Sequence, residues 1–170
     1  MNKVRNFLDQ ARWAWQRVVR GWDDRVIWSI DLWLVERLPI WLRELKNSPH
    51  QFVPASLIPF HTDDWEEDEE ELDRLYQEWL NILDEMIEGF EAAQKLIDNN
   101  FAVWDECRDL EQERYGRMLL PWNEGDTDKW HAISEEVNLQ ERLIEEREAA
   151  TYTFQKGMRL FTRHFFDLWT

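Results

Sequence analysis

Between residues 65 and 97, Trp65, Leu72, Leu75, Tyr76, Trp79, Leu83, Met86, Ile87, Phe90 and Ile97 recur at three- and four-residue steps or multiples of them. That period belongs to one face of an α-helix and cannot lie on one face of a strand. A helix with so long an apolar stripe needs other helices to cover it. The chain supplies them. Phe7, Leu8, Ala11, Trp15, Val18 and Val19 repeat the spacing, as do Trp130, Ile133, Val137, Ile144, Phe154, Met158, Phe161, Phe165 and Leu168. Five glycines and five prolines in 170 residues leave few turns for an all-β fold, while twelve tryptophans and nine phenylalanines furnish a core. The expectation is an all-α bundle of four to five helices, one domain over residues 1–170.

The first helix should run from about 3 to 20 and stop at Gly21. Asp23 or Asp24 then caps a second helix that runs to about Leu45 and that Pro39 should kink or end. It is apolar on most sides, which suits a central position. Residues 47–62 hold three prolines and no Lys, Arg, Asp or Glu, the composition of an extended connection packed along the bundle. An acidic helix follows over 63–98, with helical character resuming to about 115. A second connection covers 115–127, and a long C-terminal helix reaches about Leu168. Three polar residues, Gln140, Arg147 and Thr151, fall on the apolar seam of that last helix.

The net charge of −16 is unevenly spread. Residues 1–46 carry nine Lys/Arg against six Asp/Glu, whereas residues 63–99 carry two against fifteen. This balance argues against direct binding of nucleic acid or anionic membranes. The most apolar segment, 26–45, contains too many charged residues to span a bilayer, and no secretory signal pattern precedes it. A single cysteine, Cys107, excludes an internal disulfide and fits a reducing cytoplasm. Its neighbours Glu106 and Asp109 disfavour a thiolate nucleophile.

Asp31 stands among Ile27, Trp28, Leu34 and Val35, where a buried carboxylate would need a partner. Two readings fit. Asp31 pairs with Arg147 or a tryptophan N–H and fixes helix register, or Asp31, Gln140 and Arg147 line a pocket between helices. Trp22, Trp122 and Trp130 lie near connections and are candidates for stacking on a ligand or partner.

The run 63–73 is the densest acidic stretch, suited to a helix N-terminus and its dipole. It also allows a sharper reading. Glu67 and Glu70 form an ExxE pair, and Glu106 and Asp109 an ExxD pair on the next helix. That pattern resembles the all-α nucleoside-triphosphate pyrophosphohydrolases, which implies Mg²⁺ held by the four carboxylates and an activated water. No glycine-rich phosphate loop, serine elbow or Glu-x-x-His pair accompanies it, so no cofactor is expected under the non-enzymatic reading.

Three blocks carry a further resemblance: "RGWDDRVIWSIDLWLVERLPIWLREL" (20–45), "EWLNILDEMIEGFE" (78–91) and "GMRLFTRHFFDLWT" (157–170). Together they resemble a family of small helical proteins encoded by bacteriophages and prophages. The chain departs from that family after the second helix, where "NSPHQFVPASLIPF" replaces a Gly-Tyr-Pro type loop. The resemblance implies a phage origin, an all-α fold and no particular activity. The function expected is an acidic binding protein of the host cytoplasm, with counter-defence as a candidate role, engaging a host or phage protein or sequestering a small nucleotide. Self-association through the 130–168 heptad is a further expectation.

Overall fold

The computed structural model describes residues 2–20, 29–49, 52–58 and 69–169. Among them are six helices and no strand: α1 (Asn2–Arg20), α2 (Ile30–Lys46), α3 (Glu69–Asp98), α4 (Ala102–Tyr115), α5 (Thr127–Glu136) and α6 (Leu139–Arg163), followed by a 3₁₀ turn, Phe165–Trp169. The all-α bundle read from the spacing is the fold observed. No helix among the described residues is long and apolar enough to cross a membrane.

The central helix is α3, not α2. The stripe of α3 buries Leu75, Trp79, Leu83, Met86, Ile87 and Phe90, with α2 on one side and α6 on the other. The α2 helix buries only Leu38, Pro39 and Leu42 and leaves Ile30, Leu32, Ile40 and Trp41 exposed. Its cations meet acidic α3 across the seam, Lys46 on Asp84 at 2.6 Å and Arg43 on Glu91. Exposed pairs like these add little stability, but they fix which helix neighbours the acidic one. Pro39 takes one bond from the Val35 carbonyl, yet the helix continues to Lys46. Of the first connection, Phe52 and Leu57 pack on the same core, as expected of an apolar strap.

Asn99, in the left-handed conformation at φ 50°, ends α3 and turns the chain into α4. A second core forms there from Phe101, Val103, Cys107, Leu119, Ile133, Val137 and Leu139. The predicted continuous C-terminal helix is broken at Asn138, also at φ 50°. An asparagine tolerates that geometry, but an α-helix cannot run through it. The break rotates the seam. The side of α6 turned inward is Leu139, Leu143, Glu146, Ala150, Thr153, Gly157, Leu160 and His164, one residue behind the predicted register. Gly157 meets Gly89 of α3 at the crossing, where a Cβ added to either would stand 2.7 Å from the other's Cα.

The polar patch predicted on the C-terminal seam is therefore not buried: Gln140, Arg147 and Thr151 are exposed. Asp31 is exposed as well. It lies in register with Val35, Leu38, Leu42 and Leu45, but in the first turn of α2, where the helix dipole favours a carboxylate.

Candidate functional site

The second connection is a built platform. Two buried carboxylates hold it. Glu111 of α4 accepts the Leu119 N–H at 3.1 Å. Asp126, before α5, accepts two guanidinium bonds from Arg117 at 2.8 and 2.5 Å and the Leu120 N–H at 3.4 Å. The Arg117 guanidinium pulls the Asp126 carboxyl down to about 2, against the opposing effect of burial, with the Leu120 N–H assisting. The Thr127 hydroxyl donates to the Pro121 and Asn123 carbonyls, each at 3.0 Å. With its backbone donors caught in this way, the loop presents Met118 and Trp122 outward, Trp122 at 81 % exposure.

Behind Trp122 opens a cleft of about 490 Å³ between the α3–α4 corner, α4 and the platform. Trp104, Trp122 and Trp130 line it, with Asp98, Arg108 and Leu120 at its walls. Trp104 and Trp130 also line an adjoining cleft of about 640 Å³ toward His131 and Gln140. The Trp104 Nε1–H is buried and finds no acceptor among the described residues. A buried donor left so costs roughly 1–3 kcal/mol.

The structure thus brings together three of the residues singled out from sequence, Trp122, Trp130 and Gln140, around Trp104, which sequence reasoning passed over. It does not join Asp31 to Arg147. Arg147 donates to Asn99 Oδ1 at 2.6 Å and lies 5.7 Å from the centre of the Phe101 ring. Beside it, Glu146 accepts the Ala102 and Val103 N–H groups at 2.7 and 3.1 Å, which caps α4 from a distant helix. Both residues clamp the α3–α4 corner. Trp22 and Glu67 lie outside the described residues.

Glu70 is held apart from Glu106 and Asp109. Glu70 is in the first turn of α3, and α4 begins beyond that helix's far end. The 30 residues of α3 span about 45 Å and the 14 of α4 about 21 Å, so even a folded-back α4 leaves Glu70 roughly 20 Å from it. Glu106 is paired with Arg142 of α6, and Asp109 is exposed. Among the described residues no three His, Cys, Asp or Glu side chains gather where they could share a metal ion. The Cys107 thiol is pushed up by burial first and then by Glu111 and Glu106, as its acidic setting in the sequence suggested.

One constellation has no signature in the sequence. Ser56 Oγ donates to Asp167 Oδ2 at 2.5 Å, and His164 Nδ1 lies 2.8 Å from the same oxygen. Ser56 Oγ is 3.3 Å from that same ring nitrogen. A nucleophilic relay needs hydroxyl and carboxylate on opposite nitrogens of the imidazole. Here both crowd Nδ1, and the buried His164 ring packs edge-on to Trp79 at 5.7 Å. The group ties the strap over 52–58 to the end of α6.

Comparison with protein-family models, curated proteins and solved structures finds no match to this chain.

Proposed function

We propose that the protein is a non-enzymatic binding module, phage-encoded and acting in the host cytoplasm, with counter-defence as a candidate role. It takes hold of a partner protein through the Trp122 platform. The observation that carries this reading is Trp122 itself: a large aromatic side chain held 81 % exposed by a loop whose backbone is fixed from beneath. Fixed aromatic anchors over a cleft are what interfaces use for most of their binding energy, because little side-chain entropy is lost on docking. The acidic surface favours a basic partner and speeds its approach. A nucleotide fits less well, since the nearby cations Arg108 and Arg117 are already paired with Asp105 and Asp126.

The test presents labelled full-length protein to an array of short peptides graded in basic and aromatic content, beside Trp122→Ala. The expected result is binding that rises with both and is lost in the variant, whose stability should stay within about 0.5 kcal/mol of wild type. In parallel, the protein is incubated with a nucleotide panel and Mg²⁺. Turnover of any nucleotide overturns the non-enzymatic reading. Stoichiometric depletion without product replaces the protein partner by a small ligand.

A further inference from the structure

Only part of the charge on α6 serves its own chain. In the first half of the helix Arg142 pairs with Glu106, Arg147 donates to Asn99, and Glu146 caps α4. In the second half Lys156 reaches Glu85 at 2.9 Å. Five charged side chains are left over: Glu141, Glu145, Glu148, Arg159 and Arg163. All five are exposed, and none has a hydrogen bond or ion pair among the described residues. At about 100° per residue they share one stripe roughly 60° wide. The stripe is divided along its length. The acids lie within 141–148 and the arginines within 159–163, and no Asp or Glu occurs between 149 and 166. Within one chain this sets like charges side by side, Glu141 with Glu145 and Arg159 with Arg163, four residues apart, an unfavourable spacing on an isolated helix. The helix dipole accounts for Glu141 in the first turn and Arg163 in the last. It fades within one turn and leaves Glu145, Glu148 and Arg159 unexplained.

A second copy of α6 running the opposite way supplies a partner for each of them. We propose that the protein is a homodimer joined by an antiparallel α6 pair, with the twofold axis at Tyr152. Residues equally far from 152 on either side then stand level across the contact. Arg159 of one copy faces Glu145 of the other, and Arg163 faces Glu141. Glu148 lies one turn on from Glu145, beside the same Arg159. Along the flank of the stripe, Ile144, 58 % exposed, falls between Met158 and Thr162 of the other copy, and Tyr152, 65 % exposed, meets itself. A parallel pair would instead set acids on acids and arginines on arginines. The heptad face expected to self-associate is not free for such a contact, because Phe154 and Phe161 already pack on Phe90. Two chains of charge −16 repel at a distance, but at about 0.15 M salt charges beyond about 8 Å are screened while the facing pairs are not. The stripe meets the tryptophan clefts only at Glu141, so the dimer and the Trp122 platform stand or fall separately.

Sedimentation equilibrium of the full chain tests it. One helix a side makes a small interface, so the dimer should be weak and is sought at about 200 µM protein in about 0.15 M salt. The expected average mass approaches twice 20.9 kDa. Arg159→Glu with Arg163→Glu should leave a monomer, and so should Glu141→Arg with Glu145→Arg. Helix content by circular dichroism should stay unchanged in both, since all four side chains face water. Mixed in equal amounts, the two variants should dimerise again, because each presents the charges the other lacks. Under mild oxidation Tyr152→Cys should cross-link to its own copy. Ile144→Cys should not, because position 144 and its copy lie about 24 Å apart along the antiparallel pair. A wild-type monomer, a dimer that survives either charge reversal, variants that fail to pair when mixed, or cross-linking through position 144 overturns the proposal.

Discussion

The contact between Gly89 and Gly157 should make Gly157→Ala destabilising, although alanine is the better helix former. A Cβ at 157 would stand 2.7 Å from Gly89 Cα and 3.0 Å from the Glu85 carbonyl oxygen. Both are backbone atoms and cannot swing aside. Carbon atoms rest at roughly 3.5–4.0 Å, so the two helices must part by about 0.8 Å or more at the crossing. A gap of that size forfeits a quarter to a half of the dispersion energy of each contact it opens. The rings of Phe154 and Phe161 on α6, packed on Phe90 of α3 at 6.4 and 5.3 Å between centroids, lie along the seam that opens. Overpacking of this kind costs about 1–3 kcal/mol, and rigid neighbours place it at the upper end. Relief of the glycine's helix penalty returns about 1 kcal/mol at most. The net expectation is a loss of about 2 kcal/mol, or about 4–8 °C in melting temperature for a chain of this size. Urea denaturation followed by circular dichroism should show a lower midpoint with an unchanged slope. Gly125→Ala, whose Cβ meets nothing within 4 Å, is the control and should be neutral. Adding Gly89→Ala to Gly157→Ala should cost less than Gly89→Ala alone, because the helices are already apart. A Gly157→Ala midpoint at or above wild type would refute the close crossing and the α6 register drawn from it.

Three further outcomes follow from named contacts. The Asp126 carboxyl is depressed in the folded state, so its contribution is present above the usual carboxylate value of 3.8 and is lost as pH falls toward about 2; Asp126→Asn should flatten the acid-induced change in tryptophan fluorescence across that window. Truncating the remote cap with Glu146→Ala should cost about 1 kcal/mol by urea denaturation and raise amide exchange first at Ala102 and Val103. Asp31→Ala, at an exposed first-turn position, should change stability by less than about 1 kcal/mol; a collapse of the fold would restore the buried-pair reading.

The sequence by itself determined the fold class, because a 3.6-residue period is a property of the backbone and needs no partner to be read. The helix read over 63–98, of which 69–98 is described, the interruption at Asn99 and Asn100, and a connection over 115–127 were legible from where this period runs and where it stops. Which arc of each helix is buried was decided elsewhere. One left-handed residue, Asn138, moved the α6 seam by a single position and turned Gln140 and Arg147 out to water. The true seam is marked by Ala150 and Gly157, whose small size permits the close crossing but leaves only a faint apolar signal in the chain. The α1 pattern was equally plain, and over residues 10–19 its direction was still opposite to that of a core helix. The grip of Glu111 and Asp126 on the loop, and of Glu146 on α4, joins groups that share no local pattern. Periodicity is local and survives without a partner; phase and long-range hydrogen bonds exist only once the partner is in place.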